Sequence, residues 1–247
     1  MNDLLEQHKQ RVKQYESTMP YVKMVFGDKF IKFATPNEKC SYFALSIHER
    51  EPKTNTWITG FSKNDTFFDI GANNGIYGLM AAVLVGCKVY AFEPHFGSYY
   101  VMCLNIFVNN LQEKMFAYPL AVSDQEGCGT LYLSAIYAGK SLNNFGESRP
   151  HEDPLWNATI PQAAITDTID GICLKIGVIP NHIKIDVDGI EPNILNGAKN
   201  TLKNKELKSV MIELNMADVA HQSAFYQMQY YGFTKHEKDS AGIFFYR

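Results

Sequence analysis

Short apolar stretches alternate with helical patterns along most of the chain. The stretches are rich in β-branched and aromatic residues, as expected of strands that are covered on both faces. They lie at residues 66–70, 88–92, 115–122, 182–185 and 209–215. The segments between them carry apolar residues at helical spacing. Residues 232–246 then suggest a closing hairpin. The pattern predicts an α/β fold with a doubly wound, mostly parallel sheet and a terminal antiparallel strand.

The first part of the chain has a different pattern. Leucines, Val12 and Tyr15 fall near helical spacing over residues 3–18, among charged residues, which predicts an amphipathic helix. This helix either docks on the domain edge, which we favour, or forms an oligomer contact or a lid. Residues 21–34 alternate around a Gly-Asp pair and predict a β-hairpin. We therefore expect an N-terminal helix and hairpin extension at 1–58 and a main domain at 59–247.

Two segments lack clear periodicity. Residues 38–58 include a candidate helix at 40–47, and their spacing indicates no chemistry. Residues 135–158 are rich in Gly, Ser, Asn and Pro, and long irregular segments of this kind are usually functional or disordered. This segment also contains Tyr137, Phe145, His151 and Trp156. We interpret it as a substrate loop rather than a merely mobile surface loop.

A glycine turn follows the strand at 66–70. Asp69, Gly71 and Gly75 form an Asp-x-Gly-x-x-x-Gly pattern that runs into a helix. Glycines let a ligand approach the turn, and the amides at the helix start favour polar groups. The spacing differs from the Gly-x-Gly-x-x-Gly that cradles a dinucleotide pyrophosphate. A carboxylate in the turn suits a cationic, hydroxyl-rich ligand, and S-adenosylmethionine, with its sulfonium, amino group and ribose, fits this description.

Glu93 ends the next strand, 24 residues after Asp69. In a βαβ unit, an acid at this position accepts hydrogen bonds from ribose hydroxyls. The alternative is a surface glutamate at a strand end. The glycine turn before it favours the ribose role.

A second carboxylate-rich turn follows the strand at 182–185. It contains Asp186, Asp188 and Glu191, and Glu191 begins a helix with proline in its first turn. The carboxyl ends of strands are where open α/β sheets bind ligands. These acids are therefore candidate catalytic groups, and the alternative is that they cap the helix and bind water.

Composition narrows the classes of partner. The net charge of −3 provides no general field for polyanions, so a nucleic-acid partner is not favoured. Five scattered cysteines without a Cys-x-x-Cys pair indicate neither a disulfide framework nor a zinc site, and adjacent His151, Glu152 and Asp153 are a weak metal signature. We predict no metal. The sequence shows no membrane span or signal peptide, and a reducing cytoplasm is the simplest location.

Four motifs in order resemble the FkbM family of S-adenosylmethionine-dependent methyltransferases. They are the glycine turn at 69–75, Phe-Glu-Pro at 92–94, Ala-Val-Ser-Asp at 121–124, and the run at 183–192. The resemblance extends from about Asp65 to the carboxyl end. The family usually has Glu where this chain has Asp188.

The resemblance implies the class I methyltransferase variant of the Rossmann-like fold and methyl transfer to a hydroxyl. The glycines would let the methionine end of the donor approach, Asn73 would bind it, Glu93 would hold the ribose, and Val122 with Ser123 would border the adenine. The cofactor-binding residues implied are Asp69, Gly71, Ala72, Asn73, Gly75, Glu93, Pro94, Val122, Ser123 and Asp186. The catalytic residues implied are Asp186, Asp188 and Glu191, with Asp186 or a neighbour as general base.

The acceptor implied is a small molecule or a glycan, with the methyl group placed on a hydroxyl of a sugar, glycan or secondary metabolite. A nicotinamide-dependent oxidoreductase would need a Gly-x-Gly-x-x-Gly and a Tyr-x-x-x-Lys that the sequence lacks. A nucleic-acid methyltransferase would share the donor site, but the Asn/Asp-Pro-Pro-Tyr/Phe run of many base-modifying enzymes is absent. A non-catalytic module that binds S-adenosylmethionine is the remaining alternative.

Overall fold

The computed structural model describes residues 2–153 and 157–247 of the 247-residue chain, so Trp156 of the predicted substrate loop lies outside the described residues. The chain begins with the predicted helix and hairpin, followed by two short helices. These elements are α1 (Asn2–Ser17), β1 (Tyr21–Phe26), β2 (Lys29–Ala34), α2 (Glu38–Leu45) and α3 (Pro52–Thr59). The α2 helix lies close to the bounds predicted for residues 40–47.

From residue 66 onward, strands and helices alternate as predicted. In chain order they are β3 (Thr66–Ile70), α4 (Ile76–Met80) with a π-helical turn at Ala81–Val85, β4 (Lys88–Phe92), α5 (Phe96–Val108), β5 (Met115–Tyr118), β6 (Ala121–Val122), β7 (Gly127–Leu133), β8 (Asn144–Phe145), β9 (Ile160–Asp167), α6 (Ile169–Ile176), β10 (His182–Ile185), α7 (Glu191–Asn196), α8 (Lys199–Lys203), β11 (Ser209–Ile212), α9 (Val219–Tyr230), β12 (Lys235–Asp239) and β13 (Gly242–Tyr246).

The main sheet has seven strands in the order β12-β13-β11-β10-β3-β4-β5. Neighbours from β11 to β5 are parallel, and β13 is antiparallel to both β11 and β12. This confirms the predicted α/β fold with a mostly parallel sheet. The chain moves outward from β3 to β5 and then returns to β10 on the other side of β3. The carboxyl ends of β3 and β10 therefore lie at the topological switch point, where open α/β sheets bind ligands.

The predicted strand at 115–122 is two strands in different sheets. Pro119 separates β5 from β6 and has no N–H to continue the ladder. A second sheet with the order β6-β9-β7-β8 begins there, and the sequence pattern did not reveal it. Thr168 caps α6: its side-chain hydroxyl accepts a hydrogen bond from the Gly171 N–H at 2.9 Å.

The hairpin and the two helices after it cover one face of the main sheet. Ile31, Phe33, Trp57 and Ile58 are buried in the same cluster as Phe67 of β3. A second buried cluster lies on the other face, where residues of α6 to α9 pack on the strands. Residues 31–58 therefore contribute to the core that supports the switch point.

The α1 helix is the exception to this packing. Its apolar residues Leu4, Leu5 and Val12 are exposed, at 73%, 53% and 40% of their full surface. A helix docked on the domain edge by its apolar face does not fit these exposures. An oligomer contact or a lid stays a prediction. Within the two described ranges, no helix combines the length and the apolar character needed to cross a membrane.

Candidate active site

A cleft opens at the carboxyl ends of β3, β4 and β10, with about 960 Å³ of empty space that is partly open to solvent. It collects residues from the glycine turn, the end of β4, the turn after β10, α2 and the loop after β7. The residues that line it are Phe43, Ile47, Arg50, Gly71, Ala72, Asn73, Asn74, Ile76, Tyr77, Glu93, Pro94, Leu131, Lys140, Ser141, Asn143, Lys184, Asp186, Val187 and Asp188.

Gly71 joins the glycine turn to its two neighbouring strands. Its N–H and that of Ala72 donate to the Phe92 carbonyl, at 3.0 and 3.1 Å. Gly71 has φ +76°, and a Cβ there would lie 1.8 Å from the Asp186 carbonyl oxygen. The close approach of the β10 backbone therefore requires glycine at this position. Gly71 also lines the cleft, so its role in admitting a ligand stays a prediction.

Gly75 and Asp69 lie behind the cleft and do not line it. Gly75 has φ +83°, and a Cβ there would be 2.9 Å from the Met102 side chain, so packing against α5 explains this glycine. Asp69 is fully buried, and its Oδ2 accepts a hydrogen bond from the Gly78 N–H at 3.0 Å. Burial raises the pKa of Asp69 to about 6. The position fits an acid that holds the turn rather than one that touches the cofactor.

Asn73 is the residue of the glycine turn whose side chain enters the cleft. Its backbone has φ +52°, in the left-handed region that asparagine tolerates better than most residues. Its N–H donates to Glu93 Oε2 at 2.7 Å, and its amide nitrogen lies 3.5 Å from the Lys140 carbonyl. Its Oδ1 is buried and has no hydrogen-bond partner. The cleft therefore presents an acceptor atom that a ligand donor could satisfy.

Glu93 lies beside Asn73 at the end of β4, and the neighbouring Pro94 also lines the cleft. Its other oxygen, Oε1, accepts a hydrogen bond from the His95 N–H at 2.8 Å. Burial raises the pKa of Glu93 to about 7, although the N–H groups of His95 and Asn73 oppose the shift. Each carboxylate oxygen keeps a second lone pair with which to bind a ligand hydroxyl.

Lys184 and Asp186 form an ion pair on the opposite wall. The Lys184 ammonium is buried and donates to Asp186 Oδ2 at 2.5 Å. Burial opposes ionisation of Asp186, but the Lys184 charge and a hydrogen bond with Glu213 hold its pKa below the ordinary value. Burial and this contact raise the pKa of Glu213 to about 9, so Glu213 holds the proton. Lys184 supports a carboxylate in a central strand and does not point from a sheet edge.

Asp188 has the opposite electrostatic character. Burial and repulsion from Asp186 raise the pKa of Asp188 to about 7. Its Oδ2 accepts a hydrogen bond from the Asn143 N–H at 3.1 Å, which ties the turn after β10 to the predicted substrate loop. Its backbone has φ +63° and is followed by Gly189 at φ +118°. The strained turn aims this carboxylate into the cleft.

Glu191 does not line the cleft, contrary to its prediction as a catalytic residue. It is buried, and its Oε1 lies 3.2 Å from the N–H groups of both Val187 and Gly189, which donate to it. Its Oε2 lies 3.9 Å from His221 Nε2. Glu191 therefore holds the turn that carries Asp186 and Asp188.

Val122 and Ser123, predicted to border the adenine, also lie outside the residues that line the cleft. Val122 is buried in the apolar cluster on the second face of the sheet. Ser123 is buried, and its N–H donates to the Asp167 carbonyl at 2.9 Å. Both belong to the junction between the two sheets.

Sequence reasoning missed the wall formed by α2 and the turn after it. Phe43, Ile47 and Arg50 line the cleft, and Glu51 behind them hydrogen-bonds the phenol of Tyr77. Burial and the Glu51 charge raise the pKa of Tyr77, which keeps it protonated. The spacing of Phe43 and Ile47 indicated one helix face, but nothing in the pattern showed what that face would cover.

Only the first part of the predicted substrate loop reaches the cleft. Lys140, Ser141 and Asn143 line it. Phe145 packs instead on the small cluster around β7, and His151 is exposed, with its Nδ1 accepting a hydrogen bond from the Asp153 N–H. In the part of the chain that the structure describes, no group of three or more His, Cys, Asp or Glu side chains could hold a metal ion.

Comparison with known proteins places the chain in a family. The model of the methyltransferase FkbM domain matches residues 69–234. This range begins at the glycine turn and contains all the predicted site residues. It covers more than half of the chain. No curated protein sequence matches the chain.

A solved structure of the family shows the same fold at low identity. A methyltransferase FkbM from Methylobacillus flagellatus KT superposes with a TM-score of 0.50 and 14% identity, over 76% of this chain and 44% of that chain. A SAM dependent methyltransferase from Agrobacterium tumefaciens gives 0.45 and 10%, over 85% and 57%. A precorrin-6y C5,15-methyltransferase from Geobacter metallireducens GS-15 gives 0.44 and 10%, over 79% and 84%.

This chain spans less than half of the length of the Methylobacillus protein. With the family model matching from the glycine turn to the start of the closing hairpin, the chain belongs to the FkbM family of S-adenosylmethionine-dependent methyltransferases.

Proposed function

We propose that this protein transfers a methyl group from S-adenosylmethionine to a hydroxyl oxygen of an acceptor bound in the cleft. One observation carries the proposal. The candidate donor-binding side chains Asn73 and Glu93 line the same cleft as Asp186 and Asp188. Donor binding and proton removal could therefore take place within one space, and holding the two reactants together supplies much of the catalysis of a displacement.

The residues present fit the donor. S-adenosylmethionine supplies an electrophilic methyl group on a sulfonium, beside an amino group and a ribose. The buried Asn73 Oδ1 lacks a hydrogen-bond partner and would accept from the amino group. Glu93 would accept from the ribose hydroxyls through its free lone pairs. Charges of both signs line the cleft, which suits a donor that carries a sulfonium, an amino group and a carboxylate.

Asp188 is better suited than Asp186 to act as the general base. A base works best when its pKa lies near the operating pH, and the pKa of Asp188 is raised to about 7. Asp186 is held ionised by Lys184 at 2.5 Å, so it would have to leave an ion pair to accept a proton. We therefore propose that Asp188 removes the acceptor proton, and that Asp186 supports the charge balance of the cleft.

The acceptor we propose is a small molecule or a glycan with a free hydroxyl. The family assignment favours methyl transfer over a nicotinamide-dependent oxidation. A non-catalytic module that binds the donor without turnover is the competing interpretation, and the donor-binding residues alone do not separate the two. The five cysteines are unpaired, which supports the proposed cytoplasmic location.

Two measurements test this proposal in sequence. Equilibrium dialysis with labelled S-adenosylmethionine should show saturable binding, and the absence of binding would reject the donor. Mass spectrometry of metabolites and glycans from cells with and without the protein should then show a product that differs by one methyl group. Binding without such a product would favour the non-catalytic module.

A further inference from the structure

A second groove opens beside the cleft, between α2 and the loop after β7. We name it the mouth groove and define it by its lining residues: Asn37, Glu38, Lys39, Tyr42, Tyr137 and Lys140. Lys140 lines both the mouth groove and the cleft. The two spaces therefore adjoin at Lys140, within reach of one ligand that spans both.

Hydrogen bonds fix the two sides of the mouth groove to each other. The Asn37 side chain donates to the Ala138 carbonyl at 3.1 Å and joins the two sides, while the Gly139 N–H donates to Ser98 Oγ of α5 at 3.1 Å and fixes the loop to the main domain. Gly139 has φ +81° and lies so close to α2 that a Cβ there would be 3.2 Å from Lys39 Cγ. The groove is thus built into the fold, and ligand binding would not have to order it.

Aromatic rings line the mouth groove from both sides. Tyr42 on α2 is 58% exposed, and Tyr137 on the opposite loop is 50% exposed. Exposed tyrosines offer a flat apolar face and a hydroxyl at little cost in side-chain entropy. Together they suit a ring-shaped ligand that carries polar groups.

Positive charge is concentrated at the same place. The Lys39 ammonium and the Arg50 guanidinium lie 4.8 and 4.1 Å from the centre of the Phe43 ring. Burial, together with the charges of Arg50 and Lys140, lowers the pKa of Lys39, because like charges disfavour one another. Arg50 has Glu51 at 3.5 Å, whereas Lys39 and Lys140 form no ion pair within the described ranges. An anion in the mouth groove would relieve this repulsion.

The charges that line the cleft differ from those that line the mouth groove, and this difference indicates the charge distribution of the acceptor. The cleft is lined by charges of both signs, Glu93, Asp186 and Asp188 with Arg50, Lys140 and Lys184, whereas two lysines and one exposed glutamate, Glu38, line the mouth groove. An acceptor with its hydroxyl near Asp188 and an anionic group near the lysines would match both regions. A neutral acceptor would leave the lysines unmatched.

We propose that the mouth groove binds an acceptor whose hydroxyl-bearing ring also carries an anionic group, a carboxylate or a phosphate ester, held by Lys39 and Lys140 between Tyr42 and Tyr137. The inference rests on the proposed function and adds the chemical class of the substrate. The same lysines could instead hold the carboxylate of the donor. The experiment below distinguishes these two roles.

The test uses three probes that differ only in the group at C6 of the sugar, anionic in two of them: 4-nitrophenyl β-D-glucuronide, 4-nitrophenyl β-D-glucoside 6-phosphate and neutral 4-nitrophenyl β-D-glucoside. Each is titrated by ligand-observed NMR into the full chain saturated with S-adenosylhomocysteine. At low salt, at least one charged probe should bind about tenfold more tightly than the neutral probe, as expected for charge-assisted hydrogen bonds. The charged probe that binds better identifies carboxylate or phosphate as the source of the anion. The preference should shrink at about 0.5 M salt.

The variant Lys39→Gln, which alters a lysine that lines only the mouth groove, should reduce the preference while S-adenosylhomocysteine affinity stays within about threefold of the wild type. Lys205→Gln, an exposed lysine near the opposite end of the sheet, is the matched control and should keep the preference. Melting temperatures verify that each variant folds. Tyr137→Ala should weaken binding of all three probes alike, because ring stacking does not depend on their charge.

Three outcomes would overturn the inference. They are equal affinity for charged and neutral probes, no binding of any probe, and a loss of S-adenosylhomocysteine affinity greater than about tenfold in the lysine variant, which would assign the lysines to the donor. Failure of the wild-type chain to bind S-adenosylhomocysteine is a different result. It would reject the proposed function itself.

Discussion

Buried polar groups lie at both ends of strands β3 and β10, but the two ends differ in how completely these groups are hydrogen-bonded. At the amino end, His182 contacts Ser209 Oγ at 2.7 Å and Asp65 Oδ2 at 3.0 Å, and Trp57 donates to the same serine at 2.8 Å. Lys208 pairs with the other oxygen of Asp65 at 2.5 Å. Every side-chain polar atom of this network has a partner.

At the carboxyl end, the pairing is incomplete. Among the described residues, four buried side-chain oxygen or nitrogen atoms lack a partner, and three of them, on Asp69, Asn73 and Glu191, lie in or behind the cleft. The pKa values of Asp69, Glu93 and Asp188 are all raised there. At the amino end, burial lowers the pKa of His182 to about 4, and the pKa of Asp65 is lowered despite its burial, by Lys208, Ser62 and His182.

This difference in hydrogen bonding and in pKa distinguishes a structural network at the amino end from a candidate binding site at the carboxyl end. A satisfied buried network stabilises the fold, whereas unpartnered atoms and raised acid pKa values cost stability and are typical of functional sites. The same two strands therefore support the fold at one end and present candidate chemistry at the other. The predictions below test this separation, beginning with the largest effect.

Replacing the candidate base should reduce the rate of reaction without unfolding the protein. For Asp188→Asn we expect turnover to fall by about 100- to 1000-fold, because general-base catalysis contributes roughly that factor. Donor affinity should change little, and the variant should melt no lower than the wild type, because the raised pKa of Asp188 costs stability near pH 7. The measurement is S-adenosylhomocysteine release with the acceptor found by mass spectrometry, and Asp28→Asn on the hairpin is the control. Turnover within a factor of three of the wild type would remove Asp188 from the mechanism.

Breaking the network at the amino end should have the opposite effect: it should lower stability and leave donor binding unchanged. Asp65→Ala would leave His182 and the Ser62 N–H without their acceptor, which costs about 2 to 3 kcal/mol of unfolding free energy. Donor affinity in the folded protein should be unchanged, because the site lies at the other end of the strands. Denaturant titration and calorimetry give the two quantities, with Asp28→Ala as control. Loss of donor affinity at full stability would contradict the separation.

Donor binding should strengthen as the pH rises from 6 to 8. The ligand hydroxyls need ionised Glu93, and at pH 6 most of the molecules must first release the Glu93 proton, since the pKa is about 7. We expect the affinity for S-adenosylhomocysteine to rise about tenfold over this range. Glu93→Ala should weaken binding at pH 8 and flatten the dependence. If the affinity of Glu93→Ala still depends on pH in the same way, a group other than Glu93 causes the dependence.

The two ends should also differ in how their stability depends on pH. Native Asp188 keeps a proton that the unfolded chain has lost, so its contribution to unfolding free energy decreases as pH rises from about 4 to 7. His182 is the opposite case: the unfolded chain binds a proton that the native state does not, so this contribution increases from about pH 4 to 6.5.

Asp188→Asn should therefore make unfolding free energy rise more steeply between pH 5 and 7, by about 2 kcal/mol over the range. His182→Gln should change the slope in the other direction. Denaturant titrations at several pH values measure both. The same change of slope in both variants would show that the two ends are not electrostatically distinct.

The sequence predicted the parts of the site that follow strands. A buried strand ending in a carboxylate has a strong local signal, and Asp69, Glu93 and Asp186 lie where strand ends predicted them. The alternation of strands and helices was also enough to predict the sheet. The exact role of each glycine was not readable, because the approach of Asp186 to Gly71 joins segments more than 100 residues apart.

The other residues of the site are positioned by tertiary contacts, which leave no periodic pattern in the sequence. Arg50 and Lys140 reach the cleft from a loop and a turn, where side chains follow tertiary packing. The second sheet was missed because Pro119 splits what looked like one strand. Glu191 belongs to the same motif as Asp186 and Asp188, yet its side chain points into the protein and not into the cleft. Spacing along the sequence does not distinguish these two orientations.

The most direct test is a crystal structure of the chain with S-adenosylhomocysteine. We predict that the ligand lies in the cleft, with its amino group donating to Asn73 Oδ1 and its ribose hydroxyls donating to Glu93. Its sulfur should face the side of Asp188. The network of Asp65, His182 and Ser209 should be unchanged. A ligand bound elsewhere, or bound in the cleft without contact to Asn73 and Glu93, would contradict the assignment of the carboxyl end as the donor site.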